Sequence, residues 1–321
     1  MNFSGLDPQQ ILDALDAVGL RGDGRVVVAK FYRPGRWSDA QIVEEHAFAL
    51  ELAAAEVPVV PPLVLQAEPS APGGAGLRLL GDPPTVACLE QATVTHRYTA
   101  AMRCAGREPE LEDPAALRQL GRFIGRLHAV GRRRPFEHRH HLNPQVDGQR
   151  AIALLLAGGF VPDTERPAWQ QSAERALAAV VAAFEDPFTP SAPVTTLRLH
   201  GDCHLGNVLW RDGSPHIVDL DDAMQGPAVQ DLWMLVSGDH ATMAQQLNTL
   251  LDGYEQFSDF DDRERALIEP LRTLRMVRHS AWLAERWGDP TFPLNFPFFG
   301  SAAYWSQQTT QLREQLEAME G

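Results

Sequence analysis

The run His200-Gly201-Asp202-Cys203-His204-Leu205-Gly206-Asn207, followed by two short apolar segments around Asp212-Gly213, restricts the fold of this chain more than any other stretch. Asn207-Val208-Leu209-Trp210 and His216-Ile217-Val218 flank Asp-Gly, a dipeptide suited to the two positive-φ positions of a tight hairpin turn. Val208, Leu209, Ile217 and Val218 give such a hairpin a buried side, which argues against an Asp-rich solvated loop. Its polar groups lie at the open ends, so closing the turn gathers Asp202, Asn207 and Asp219.

Two carboxylates and an amide in this arrangement match the needs of phosphoryl transfer. That chemistry requires a carboxylate near an acceptor hydroxyl and oxygen ligands that hold Mg2+ against the phosphates. Two competing readings of the same residues are weaker. His200, Asp202, Cys203 and His204 stand too close in sequence to converge on one tetrahedral transition metal. A metal-dependent phosphohydrolase would also use clustered Asp and His, but Asn207 on a short hairpin fits kinase-type transfer better.

The pattern His-Gly-Asp-x-His-x-x-Asn, with an Asp at the end of the next strand, resembles the aminoglycoside phosphotransferase and choline kinase group, relatives of the protein kinases. Gly226-Pro227-Ala228-Val229-Gln230-Asp231-Leu232-Trp233 and Val28-Ala29-Lys30-Phe31-Tyr32-Arg33-Pro34 extend the likeness to a bacterial serine/threonine kinase branch of that group that acts in stress response. The resemblance implies an α+β, bilobal protein-kinase-like fold. A small β-sheet N-lobe would span residues 1–105 and bind nucleotide; a mainly helical C-lobe, 106–321, would carry the catalytic loop, metal site and acceptor cleft. Asp202 and Asp219 would be the catalytic residues, the first as proton acceptor. Asn207 and Asp219 would ligate Mg2+, Lys30 would contact the phosphates of ATP, and Glu45 would pair with Lys30. Glu44 is the alternative to Glu45, and Asp231 would brace the catalytic loop. The phosphoryl acceptor is expected to be a protein serine or threonine, or alternatively a small amino alcohol or aminoglycoside.

Composition narrows the partners. The chain has 321 residues and a net charge of −14, which argues against general affinity for nucleic acid or anionic membrane. Arg132-Arg133-Arg134 with His138, Arg139, His140 and His141 is the one strong basic cluster and is expected to be a solvated loop. No apolar run is long enough to cross a bilayer, and residues 1–7 lack a signal peptide's features, so a cytoplasmic monomer is expected. Cys88, Cys104 and Cys203 form no paired spacing and suit reduced thiols.

Helices are expected after Asp7-Pro8, from Ser38, and after Asp113-Pro114, where a cap and a first-turn proline open amphipathic patterns. Strands are expected at Val26–Phe31 and Thr85–Leu89, and helical patterns at Met234–Phe257, Asp262–Arg286 and Ala303–Met319. The aromatic cluster from Trp282 to Phe299 reads as core. One part that the resemblance implies is missing. Two strands and a phosphate-covering turn should precede the lysine strand, yet only Arg21-Gly22-Asp23-Gly24-Arg25 joins Leu20 to Val26. Such a hairpin needs roughly 12 to 16 residues. Gly22-x-Gly24 could act as an abbreviated loop, and a pseudokinase-like binding module stands beside the enzyme as an alternative.

Overall fold

A computed structural model describes all residues except 1–6, 21–23, 25, 73, 75, 92–93, 186–191 and 321. The chain divides into two compact units. The first comprises residues 1–140, 197–226 and 231–260; the second comprises 141–196, 227–230 and 261–321.

The first unit begins with α1 (Pro8–Ala17), whose N-cap Asp7 accepts from the Gln10 amide while the Gln10 side chain accepts from Asp7 in return. The strands β1 (Val27–Tyr32), β2 (Arg78–Leu80), β3 (Val86–Gln91) and β4 (Val94–Met102) form an antiparallel sheet ordered β1-β4-β3-β2. Helix α2 (Asp39–Ala54) lies between β1 and β2 in sequence and repeats the reciprocal cap with Ser38 and Gln41. Because side chains alternate along a strand, neighbouring residues bury opposite faces. Phe31, Ala87 and Tyr98 pack with Ala14 and Val18 of α1, whereas Tyr32 and Val86 pack with Ile42 of α2. Lys30 shares the face of Tyr32 and therefore looks toward α2.

Among the described residues β1 is an edge strand. No strand pairs with the outer side of β1 among the described residues. The proposed abbreviated loop at Gly22 falls outside the described residues.

Helix α3 (Pro114–Gly131) is capped by Asp113, which accepts from the Ala115 amide. It packs against α6 (His240–Tyr254) through glycines. Strand β5 (Leu197–Leu199) pairs with β8 (Met224–Gly226), and β6 (Val208–Arg211) pairs with β7 (Ser214–Ile217). The second unit is helical: α4 (Pro144–Ala157), α5 (Arg166–Glu185), α7 (Ile268–Arg286), α8 (Thr291–Asn295) and α9 (Ala302–Glu320). Its core joins Trp169, Trp305 and Phe299 with Trp282, Trp287, Phe292 and Phe296, as the aromatic pattern predicted.

The expected α+β class, a small antiparallel sheet with a mainly helical remainder, is therefore the one observed. Two helical expectations were too long. The stretch predicted from Met234 starts its helix only at His240, because Gly238 takes φ +104° and Asp239 caps the helix by accepting from Thr242. Residues Asp262–Leu267 form a 3-10 turn before α7, where Asp261 caps the Arg263 amide.

Candidate active site

The β6–β7 hairpin turns at Asp212 (φ +52°) and Gly213 (φ +75°), with Arg211 opposite Ser214 and Val208 opposite Ile217. Beyond its mouth the Val218 amide donates to the Asn207 carbonyl at 3.1 Å, so Asn207 stands across from the residue preceding Asp219. The Asn207 Nδ2 donates to the Asp202 backbone carbonyl at 2.9 Å. That bond leaves Oδ1 as the amide atom available to a ligand. Asp219 itself holds the left-handed conformation, φ +63° and ψ +68°, which costs a non-glycine residue of order 1 kcal/mol. Strain of this kind is retained where the surrounding structure fixes a side chain for use.

The His200–Gly201–Asp202 loop is suspended from one buried carboxylate. Asp231 accepts from the His200 and Gly201 amides, both at 2.8 Å, and faces His128 Nε2 at 3.1 Å. Burial pushes the Asp231 carboxyl up, but the His128 hydrogen bond and charge and the Gly201 amide outweigh it and hold it below the usual carboxylate range. Gly201 has φ +86°, and a Cβ there would collide with the Asp222 carbonyl. The expected bracing role of Asp231 is thus visible as geometry. Cys203, next to Asp202, is buried, and its thiol is pushed well above the ordinary value by desolvation and then by Asp231 and Asp202.

Lys30 reaches the hairpin from β1. Its Nζ donates to Asp219 Oδ1 at 2.7 Å and lies 3.3 Å from Asp221 Oδ1. Burial works against the ammonium, yet Asp221, Glu45 and Asp219 together raise its pKa. Burial likewise raises the Asp219 carboxyl, but the charge and hydrogen bond of Lys30 prevail and its pKa is lowered. Glu45 points inward and is 5% exposed; desolvation lifts its pKa to about 7 against the pull of Lys30. Its nearest cation is Arg139, 3.9 Å away, and it makes no ion pair with Lys30. Glu44 faces elsewhere, accepting the backbone amides of Glu137, His138 and Arg139.

Three contributors were not singled out from the sequence. Arg36 donates to Asp221 at 2.6 Å and to Asp222 at 2.7 Å. Asp221 is buried, and its Oδ1 has no hydrogen-bond partner. Arg139, expected in a solvated basic loop, is 2% exposed, stacks over Trp37 and donates to the Asp221 and Ala223 carbonyls. A signal for Asp221 was present in Asp219-Leu220-Asp221-Asp222; for Arg139 the sequence offered only a basic run, which solvated and buried arginines share. Arg132, Arg133 and Arg134 are exposed, as the reading of a solvated loop requires, with Arg133 and Arg134 near Glu51 and Arg132 donating to Ser258.

The donors fit a hard cation: Asn207 Oδ1, the Asp219 carboxylate and Asp221 Oδ1, which makes no hydrogen bond and faces only the Lys30 ammonium at 3.3 Å, are all oxygens. Among the described residues no three His, Cys, Asp or Glu side chains form a closed metal cage. Mg2+ needs none, since it takes one or two protein ligands and fills its sphere with water and phosphate.

A four-stranded sheet bearing a lysine, set on a hairpin bearing Asn and Asp after a His-Gly-Asp loop, defines a kinase-like phosphotransferase. The chain belongs to the phosphotransferase enzyme family, whose model matches residues 13–268. Stress response kinase A of Salmonella choleraesuis (strain SC-B67) is 40% identical over 337 aligned positions, covering 99% of this chain and 94% of the relative. The serine/threonine protein kinase RdoA of Salmonella typhimurium (strain LT2) matches with the same identity and coverage. Because the aligned stretch is longer than this chain, the relatives carry segments that have no counterpart here. The fold also resembles the amicoumacin kinase hAmiN, solved with AMP-PNP and Ca2+, with a TM-score of 0.63 and 17% identity over 92% of this chain and 82% of that one. No helix among the described residues is long and apolar enough to cross a membrane.

Proposed function

We propose that this chain transfers the γ-phosphate of ATP to a protein serine or threonine, with Mg2+ as cofactor, within a cytoplasmic response to stress. The observation that carries the reading is the contact between Lys30 and Asp219, 2.7 Å apart although 189 positions separate them in sequence. It joins the strand meant for nucleotide to the hairpin meant for metal. Asn207 and Asp219 hold Mg2+, which neutralises charge on the phosphates when bound. Lys30 neutralises further phosphate charge. Val28, two residues before Lys30 on the same face and 54% exposed, offers an apolar wall for the adenine. Asp202 accepts the proton of the acceptor hydroxyl as its oxygen bonds to the γ-phosphorus and the bond to ADP breaks. Nucleotide binding is assigned to residues 1–105 and the remaining chemistry to 106–321. The names of the relatives support the protein acceptor and the stress role.

One observation favours a second reading. Among the described residues β1 is an edge strand, and a nucleotide held on an uncovered strand would give slow transfer or none, as in a binding module. Incubation with γ-labelled ATP, Mg2+ and casein, with Asp202→Asn in parallel, separates the two. Label on serine or threonine that falls roughly 100-fold or more in the variant supports the kinase. Metal-dependent ATP binding with no transfer supports the module, and transfer to amino alcohols in place of protein moves the acceptor to a small molecule.

A further inference from the structure

Next to the proposed base stands a histidine that the reading above leaves without a task. His204 Nε2 lies 3.4 Å from Asp202 Oδ2. Its other ring nitrogen, Nδ1, accepts the Gly206 amide at 3.0 Å. An acceptor nitrogen carries no proton, so the neutral ring must bear its proton on Nε2, the ring nitrogen near Asp202 Oδ2. The ring has its own berth. A Cβ on Gly206 would sit 2.8 Å from His204 Cε1 and 3.1 Å from Nδ1, so the glycine leaves room for the imidazole in this pose. The His204 backbone takes part as well: its amide donates to the Asp202 carbonyl at 2.9 Å, and its own carbonyl accepts the Asn207 amide at 2.9 Å. The loop thus builds the imidazole between the base and the asparagine.

We propose that His204 is a positioning residue for Asp202. Its Nε2–H engages Oδ2 and so directs the other carboxylate oxygen to the acceptor hydroxyl. At 3.4 Å the contact is longer than a good hydrogen bond, and catalytic hydrogen bonds commonly tighten when the reactants are bound. The tautomer has a further consequence. With Nδ1 occupied and Nε2 protonated, His204 has no lone pair to offer the substrate, so Asp202 remains the sole base of the pair. This inference rests on Asp202 acting as proposed above.

Two measurements test it on the full-length chain. The first reads the 15N resonances of the His204 ring and needs no turnover. The expected result is a protonated Nε2 with an unprotonated Nδ1, and an Nε2 resonance that moves in Asp202→Asn. A ring protonated on Nδ1, or one indifferent to Asp202→Asn, overturns the proposal. The second follows transfer from γ-labelled ATP to casein in His204→Ala. A fall in kcat of roughly 10- to 100-fold is expected, the size typical of partners that orient a reacting group, with KM for ATP unchanged. The side chain is 42% exposed, so its removal opens a notch to solvent, and added imidazole should restore part of kcat. Unchanged kcat, a loss confined to KM, or no response to imidazole overturns the role. If the unmodified chain transfers nothing, the kinase reading fails, while the ring resonances still decide whether His204 faces Asp202.

Discussion

At the scale of single residues, the neighbours Glu45 and His46 carry opposite pH dependences. His46 is buried between Tyr32 Oη and Thr85 Oγ1, each 2.8 Å away, and burial followed by the charges of Lys30 and Arg139 pushes its pKa down to about 3. In the unfolded chain it titrates near 6.5. Between these values the unfolded chain binds a proton that the folded chain refuses, so this term weakens the fold as pH falls from about 6.5. Glu45, raised to about 7, does the reverse: its folded state keeps a proton that the unfolded state has released above about 4.3, so its stabilising term fades as pH rises through that window. The two slopes oppose each other in the intact protein. His46→Gln removes one of them, so its stability relative to the unmodified chain should improve by about 2 kcal/mol between pH 6.5 and 5. Urea unfolding at the two pH values checks this, and a pH-independent difference would show that His46 titrates normally in the fold. The candidate residues could be nominated from the sequence at this scale, because Asp202, Asn207, Asp219 and Lys30 belong to patterns with fixed spacing, and the structure brings Lys30 to Asp219 and Asn207 to the Asp202 carbonyl. Arg36 and Arg139 could not, because a buried arginine is defined by what folds around it.

Between elements, the approach of α3 and α6 connects to the His200–Asp202 loop through His128 and Asp231. A Cβ at Gly121 would strike the Leu250 carbonyl, one at Gly125 the Tyr254 carbonyl, and one at Gly253 the Arg118 carbonyl. This contact brings His128 of α3 to Tyr254 of α6, with Nδ1 2.9 Å from the hydroxyl, while His128 Nε2 meets Asp231. Gly121→Ala gains up to ~1 kcal/mol of helix propensity but forces two backbones apart, at a cost of roughly 1–3 kcal/mol or more. A lower urea midpoint with an unchanged slope is expected, and a raised midpoint would mean the helices have room to spare. Gly121-x-x-x-Gly125 was visible in the sequence as part of a helix, but its partner was not, since spacing reports a face and not what meets it. Strand β4 illustrates the same limit. Its Thr95-His96-Arg97 reads as polar, although His96 is 3% exposed and Tyr98 fully buried.

For the molecule as a whole, the decisive feature is what lies over the lysine strand. Every residue assigned to the transfer reaction belongs to the first unit, so the base, metal ligands and lysine share one compact body. Among the described residues of that body β1 is an edge, and Val26 and Val28 stand 59% and 54% exposed beside Lys30. A covering hairpin with a glycine turn would bury that apolar surface and direct backbone amides at the phosphates, which is how kinases position the group to be transferred. On the function proposed above, Lys30 would supply phosphate contact from the sheet alone. Nucleotide affinity should therefore be limited by the phosphates and not by the base. Inserting a two-stranded, glycine-turned hairpin between Leu20 and Val26 should tighten Mg·ATP binding by roughly tenfold or more, the effect of one or two added charge-assisted hydrogen bonds. Adenosine, which has no phosphates for the turn to contact, should gain far less. Titration calorimetry with both ligands makes the comparison. Equal gains for ATP and adenosine would assign the hairpin's effect to covering the valines, and no gain for either would mean that the short link between α1 and β1 already leaves the phosphates fully held.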